Sequence, residues 1–529
     1  MENYDYDYLV IGSGFGGSVS ALRLAEKGYK VLVVERGKWY KDKDFPKTNW
    51  NLPKWLWFPK IRFFGIMKLS FYNHISVISG AGVGGGSLVY ANTLPVPKSP
   101  FFNNGSWAEL ADWEQELKPH YKVALNMLGA AKNPKLFDSD FVVQEVARRL
   151  GKEDKFEATD VAVYFGEPGK EVPDPYFGGK GPTRTGCTHC GACMTGCRHN
   201  AKNTLDKNYL YLAQQLGTEI WAEKDVVDVK PLSEDGNSGY EIEVKDSTSF
   251  FKKKRTVRAK GVVFAGGVVG SVKLMLQLKK KGSLPRLSDK LGTEIRTNNE
   301  ALIPVTSIDL QGKDYTKGVA IGSILHTDEN THLEPCRYSS GSGFWRVMSW
   351  PMAKGSNVFA RLGNLALGII KRPIAFLKLV FVRDWAKKTP IILFMQTLDS
   401  TLQFSLNAIG RMNSKVSTGK KPTPFIKEAQ EIAAHFADIT NGIATTMNLE
   451  TLFAIPSTAH ILGGCPMGKD EKHGVIDKEN KVFGYQNMLV CDGSMISANP
   501  GVNPSLSITA ISELAMTKIP VKEASQMAF

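Results

Sequence analysis

The sequence predicts an α/β protein in two parts: a discontinuous, Rossmann-like nucleotide-binding domain and a second domain built on a mostly antiparallel sheet. Three observations predict it. Residues 8–11 form an apolar strand that breaks into Gly12-Ser13-Gly14-Phe15-Gly16-Gly17; a helix follows over 18–27, and a second strand over 30–34 ends on Glu35. A second strand-to-glycine turn stands at Val262-Val263-Phe264-Ala265-Gly266-Gly267. Residues 301–310, 317–326 and 391–406 read as alternating strands, as in a half-buried antiparallel sheet. A chain of 529 residues also exceeds what a single core usually supports.

Each residue of the first motif has a physical task. Gly12 permits the tight turn, Gly14 lets the backbone approach a pyrophosphate, and Gly17 lets helix and strand pack closely. The helix N-terminus offers unpaired N–H groups to phosphate. Glu35, eighteen residues beyond Gly17, is placed to accept hydrogen bonds from an adenosine ribose.

Charge and cysteine content narrow the partners. The formal charge of +14 points to an anionic partner, and with no nucleic-acid motif beside it a membrane surface is favoured over nucleic acid. The first residues are acidic and aromatic rather than a signal peptide, so a cytoplasmic protein, peripheral to a membrane at most, is expected. No apolar run is long and charge-free enough to predict a spanning helix. Four of the seven cysteines form Cys187-x-x-Cys190-x-x-Cys193-x-x-x-Cys197, the spacing of bacterial ferredoxins with Arg198 where proline normally follows. Two readings stay open: a site for an iron-sulfur cluster or zinc, and a buried turn rich in small residues.

Along the chain, residues 39–71 interleave Trp50, Trp55, Trp57, Phe58, Phe63 and Phe64 with lysines and an arginine. This is a connection packed over the first domain, or a lid whose basic, aromatic face touches lipid. Gly84-Gly85-Gly86-Ser87 lets backbone come close to a flat ligand or a phosphate. Residues 107–129 predict a scaffold helix, 203–216 a helix and 219–229 a strand, with Asp235-Gly236-Asn237 a hairpin turn. In 365–388 an apolar segment is studded with basic residues and interrupted by Pro373. It reads as a core helix with a basic edge, or as a surface that rests on anionic lipid and hands an apolar substrate to the site.

The most specific block is the last: His460-Ile461-Leu462-Gly463-Gly464-Cys465-Pro466-Met467-Gly468, then Asn487-Met488-Leu489-Val490-Cys491-Asp492-Gly493-Ser494, then Asn499-Pro500-Gly501-Val502-Asn503-Pro504. Together with the N-terminal fingerprint, Gly82-Val83-Gly84-Gly85-Gly86-Ser87-Leu88-Val89 and the 262–267 turn, it resembles the glucose-methanol-choline (GMC) flavoprotein oxidoreductases, and within them the cholesterol oxidases.

The resemblance implies noncovalent FAD, with Gly84, Gly86 and Ser87 beside the flavin, a backbone contact from Val226 to the adenine end, and Asp492 and Gly493 at the ribityl and pyrophosphate part. Tyr90 departs from the asparagine that the steroid oxidases carry near the flavin. His460 and Asn503 match the family's pair at the substrate hydroxyl, and Glu334 matches a substrate-facing glutamate able to move a proton during double-bond isomerisation. Hydride transfer to flavin requires loss of the hydroxyl proton, which explains a histidine there; an asparagine orients but takes no proton. The implied activity is oxidation of a 3β-hydroxysteroid to the ketone, with oxygen or an electron carrier as acceptor. The alternatives are a dehydrogenase for another lipidic or long-chain alcohol, an electron-transfer protein carrying FAD and a cluster, and a nucleic-acid binder. The expected FAD domain comprises 1–43, 72–100, 183–295 and 445–529; 44–71 is a lid or connection, and 101–182 with 296–444 form the substrate domain and its lids.

Overall fold

The structure is a computed structural model that describes residues 4–523 except 311, 354, 356, 398, 399, 420 and 421. Its first sheet orders the strands Glu219–Trp221, Val31–Val34, Tyr6–Ile11, Lys254–Phe264, Tyr240–Asp246 and Lys224–Pro231. The first four run parallel, as expected of a nucleotide-binding core. The eleven-residue strand Lys254–Phe264 serves two partners along one edge. Its first half pairs antiparallel with Tyr240–Asp246, and Val262–Phe264 pair parallel with Met488–Val490. The helices Phe15–Glu26 and Ser505–Thr517 pack on one another beside this sheet, joined by the ion pair Arg23–Glu513 at 2.7 Å.

The second sheet is antiparallel throughout: Ser349–Pro351, Gly442–Met447, Ala301–Ser307, Ile391–Gln396, Thr331–Cys336, Ser323–His326 and Phe156–Ala158. Strand alternation gives it two different faces. Ala301, Ile303, Val305, Leu333, Ile392 and Phe394 point into a core shared with the helices Asp138–Arg149 and Lys427–Ile439. Leu302, Pro304, Cys336, Ile391 and Leu393 line a cavity on the other face. The covering helix is fastened by a fully buried ion pair, Arg337 Nη2 to Asp140 Oδ1 at 2.7 Å. Asp140 also accepts from Ser323 Oγ at 2.9 Å and from Phe137 N at 2.9 Å.

Several local expectations hold and several shift. The Asp235-Gly236-Asn237 turn joins antiparallel strands. The single strand expected over 219–229 is two, because Glu223 takes a left-handed backbone (φ 58°) and redirects the chain from the parallel sheet into the hairpin. Residues 203–216 are helical only over Tyr209–Gln215 after a short turn at Leu205–Lys207, where Asn208 Oδ1 accepts from Tyr209 N. The strand expected over 391–406 is two, Ile391–Gln396 and Thr401–Leu406, and residues 398 and 399 between them lie outside the described residues.

Most of the 365–388 region belongs to two surface helices, Val358–Lys371 and Pro373–Val380, the proline occupying the first turn of the second where its missing N–H costs nothing; a short third helix, Trp385–Lys388, follows. Phe359, Ile370, Ile374 and Phe381 are 82 %, 72 %, 70 % and 75 % exposed, far more than a core helix allows. Among the described residues no helix is long and apolar enough to cross a membrane.

The four clustered cysteines do not support the metal reading. Cys187 and Cys193 enter a small apolar cluster with Val161, Val163, Ala201 and Val319, and burial pushes both thiols up. Among the described residues no three His, Cys, Asp or Glu side chains are grouped to hold an ion. The turn is a packing element. It is tied to the glycine-rich stretch by buried Lys202, whose Nζ donates to Cys193 O, Tyr90 O and Leu88 O at 2.8, 2.9 and 3.1 Å.

Candidate active site

One cavity of about 1100 Å³ runs from the first glycine turn to the inner face of the antiparallel sheet. That is at or above the upper end of the roughly 300–1,000 Å³ usual for one small ligand. At one end Gly12 has φ 103°, and a Cβ there would lie 2.4 Å from Ala265 O, so only glycine fits. A Cβ on Gly17 would lie 2.2 Å from Gly12 O, the close helix–strand packing expected of it. Gly14, by contrast, faces the cavity, with nothing nearer to its Cβ position than 4.0 Å. It caps the helix Phe15–Glu26 without a side-chain partner, leaving N–H groups for an anion.

Glu35 also lines the cavity and braces the turn. Its Oε2 accepts from Ser13 Oγ at 2.7 Å and Ser13 N at 3.2 Å, and its Oε1 from Gly37 N at 2.8 Å. Val226 reaches the wall beside a bulge between Val226 and Asp228, which re-aims the strand there. Gly86, Asp492 and Gly493 line the next section. Asp492 is buried and fastened on both oxygens, by Ser494 N at 2.8 Å and Ser271 Oγ at 2.5 Å; burial pushes its carboxyl up. Gly84 and Ser87 lie behind the wall, where Ser87 Oγ donates to Gly84 O at 2.7 Å and accepts from Leu205 N at 3.0 Å. These two shape the glycine turn.

His460 and Asn503 both line this cavity, along with the residues of an apolar chamber. With its amide turned so that the nitrogen faces the carboxyl, Asn503 donates to Glu334 Oε1 at 2.9 Å and Oε2 at 3.3 Å. Glu334, expected after a strand, lies inside Thr331–Cys336, on its cavity-side face and fully buried. Burial pushes its carboxyl up to about 8, opposed by the Asn503 hydrogen bond. His332 Nε2 is 3.8 Å from Glu334 Oε1, and burial holds that imidazole well below its usual range, so it is neutral.

The residue the sequence did not reveal is Glu300. His460 Nδ1 is 3.1 Å from Glu300 Oε2. Glu300 Oε1 accepts from Thr458 Oγ1, from Ala459 N at 2.9 Å and from His460 N at 3.2 Å. Burial acts to raise this carboxyl, but His460 and Thr458 more than offset it and hold it below the ordinary range. Arg296-Thr297-Asn298-Asn299-Glu300 carries no motif, and its contacts lie some 160 residues away in the chain.

The chamber beyond is walled by Met194, Tyr338, Trp345, Ile391 and Leu393, and covered by the aromatic segment through Trp57, Phe58 and Met67. Phe58 pairs with Phe63 in a short hairpin and stays half exposed at the edge of this cavity.

The glycine cradle, with its free N–H groups and the carboxylate of Glu35, fits FAD at one end of this cavity. Comparison with known proteins agrees. Residues 7–40 match the FAD binding domain model and residues 401–512 the GMC oxidoreductase model. The chain is 45 % identical to a cholesterol oxidase of Acinetobacter baumannii, over 99 % of this chain and 96 % of that one. It is 42 % identical to a cholesterol oxidase of Mycobacterium tuberculosis, over 98 % and 92 %. A long-chain-alcohol oxidase of Arabidopsis thaliana is 24 % identical, over 97 % of this chain and 67 % of that one. The fold is shared with the crystal structure of pyridoxine 4-oxidase from Mesorbium loti, at a TM-score of 0.61 and 13 % identity, covering 97 % and 98 % of the two chains. Near-full-length identity at this level, with a nucleotide cradle in the same cavity as His460 and Asn503, makes this chain a member of the GMC oxidoreductase family, an FAD-dependent alcohol oxidoreductase.

Proposed function

We propose that this protein oxidises the hydroxyl of a 3β-hydroxysteroid such as cholesterol to the ketone, with oxygen as the electron acceptor. The observation that carries the reading is that His460 and Asn503 line one cavity with the glycine cradle and an apolar chamber. The relatives sharing 42–45 % identity are cholesterol oxidases, whereas the long-chain-alcohol oxidase is far more distant, and the word oxidase favours oxygen over a carrier.

Gly12, Gly14, Glu35, Gly86, Val226, Asp492 and Gly493 would hold FAD, which would supply the hydride acceptor. His460 accepts the hydroxyl proton at Nε2, the nitrogen opposite its Glu300 contact. Asn503 orients the same hydroxyl while its amide is held by Glu334. Glu334, once ionised, takes the proton from the carbon between the new carbonyl and a β,γ double bond. It returns that proton at the far end of the double bond, which brings the bond into conjugation. The chamber and the aromatic segment over it exclude water from these transfers.

The surface helices Val358–Lys371 and Pro373–Val380 favour a second element of the reading, peripheral contact with a lipid surface. Their bare apolar side chains alternate with exposed Lys371, Arg372 and Lys378, a composition suited to an anionic leaflet. Arg346, next to the chamber residue Trp345, donates from Nη1 to Val382 O at 2.7 Å, which links this surface to the chamber.

The test is the anaerobic visible spectrum of the flavin-loaded protein before and after addition of cholesterol in detergent. Bleaching of the flavin band and its return on admitting air are expected. A flavin that stays oxidised with cholesterol but bleaches with a long-chain alcohol would replace the steroid by that substrate.

A further inference from the structure

The segment Arg296-Thr297-Asn298-Asn299-Glu300 touches both halves of the hydroxyl-binding pair. Arg296 exchanges backbone hydrogen bonds with Leu462, two residues past His460, each at 2.9 Å. Asn298 Nδ2 donates to Val502 O, the carbonyl before Asn503, at 2.7 Å. Asn299 adopts a left-handed backbone (φ 44°) and its Nδ2 donates to Gln396 Oε1 at 2.8 Å. This turn delivers Glu300 beneath the histidine. Glu300 then engages the His460 backbone and its ring together.

The ring contact is the informative one. His460 Nδ1 and Glu300 Oε2 are both shut off from solvent, 3.1 Å apart, and neither has any other hydrogen-bond partner among the described residues. Two buried polar atoms left with only each other satisfy their needs only if a proton lies between them. A carboxylate cannot donate, so the proton belongs to Nδ1 and the Nε2 lone pair is left for the cavity.

We propose that Glu300 is a positioning residue for the alcohol oxidation: it fixes His460 as the Nδ1–H tautomer, and its negative charge compensates the imidazolium that forms when Nε2 takes the substrate proton. The inference rests on the reading of His460 as the proton acceptor. In that step the O–H bond breaks, the proton passes to Nε2, and the oxygen electron pair becomes the second bond of the carbonyl as hydride leaves the carbon for FAD. Glutamine at position 300 keeps an acceptor oxygen but carries no charge, whereas aspartate keeps the charge on a shorter arm. The two variants therefore separate charge from shape.

The experiment combines two measurements. In protein labelled with ¹⁵N-histidine, the His460 signals are assigned by their loss in His460→Gln. Nδ1 is expected to be protonated and Nε2 bare; a proton on Nε2 with Nδ1 bare in the wild-type protein overturns the proposal, whatever the Glu300 variants do. In stopped-flow reduction by cholesterol, Glu300→Gln is expected to load FAD normally yet reduce on the order of 100-fold more slowly, with a largely unchanged half-saturation for sterol. Glu300→Asp should recover part of the loss. A wild-type rate in Glu300→Gln beside a slow His460→Gln overturns the role of Glu300 alone. A wild-type rate in His460→Gln instead overturns the parent reading.

Discussion

The amide of Asn503 faces the carboxyl of Glu334 directly, 2.9 Å from Oε1 and 3.3 Å from Oε2, so the group expected at the substrate hydroxyl and the group expected to move a carbon-bound proton form one hydrogen-bonded unit. The two chemistries proposed for the site are thereby joined, and they respond differently to pH.

Glu334 must be ionised to remove a proton from carbon, and its carboxyl is raised to about 8 by burial. Isomerisation should therefore climb with pH through that value, while ketone formation does not follow the same curve. Glu334→Gln should still oxidise the alcohol but leave the double bond where it was. Chromatography of the products, separating conjugated from unconjugated ketone, checks both.

The same displacement bears on stability. A carboxyl that titrates near 4.5 when unfolded and about 8 when folded leaves the native state holding a proton that the unfolded chain releases. Its contribution is fully present below 4.5, falls as pH rises toward 8, and is level beyond. Glu334→Gln should consequently melt higher relative to wild type at pH 9 than at pH 5. Equal differences at both pH values would contradict the burial argument.

Gly12→Ala should lose most of its flavin and unfold more easily by about 1–3 kcal/mol, the usual cost of a strained backbone position. The left-handed φ and the 2.4 Å approach to Ala265 O leave no room for a methyl group. Flavin content after gel filtration and the thermal midpoint report the two effects.

Asp140→Ala strips a fully buried Arg337 of its partner. Breaking such a pair typically costs about 3–5 kcal/mol, since the remaining charge cannot reach water. Denaturant unfolding should show that loss.

Phe359, Ile370, Ile374 and Phe381 replaced together by serine should abolish flotation with anionic vesicles, and raised salt should weaken wild-type binding through the neighbouring basic residues. Turnover of cholesterol in vesicles should fall in this variant while turnover of detergent-dispersed cholesterol stays near wild type. Undiminished flotation would remove these helices from the lipid contact.

What was legible in the sequence tracks how local each determinant is. Gly12, Gly14, Gly17 and Glu35 lie within one strand–turn–helix unit, so their spacing alone singles them out. His460 and Asn503 were legible because a long motif surrounds them. Glu334 was singled out by the resemblance, but its placement inside a strand was not, since the strand's two faces are distinguished only by sheet packing. Glu300 had no local signal at all: it sits at the end of a polar stretch that reads as loop, and its partners arrive from 458–460. The cysteine run left two readings open for the converse reason. Its spacing suits a metal, yet the chain around it turns two of the thiols into apolar packing and uses backbone carbonyls to hold a buried lysine.

The shared edge of Lys254–Phe264 also dictates an order of assembly. The arm that covers its first half is built from residues just upstream, but Met488–Val490, which complete the second half, come more than two hundred residues later, carrying Asp492 and Gly493 with them. A ribosome-bound chain that has emerged only to the middle of the antiparallel sheet thus exposes an unpaired parallel edge and half a cofactor cradle, the condition in which strands seek partners on other chains. Flavin capture is therefore a late event in biogenesis, and yields of active protein should depend more on slow synthesis and chaperone supply than on flavin added during translation.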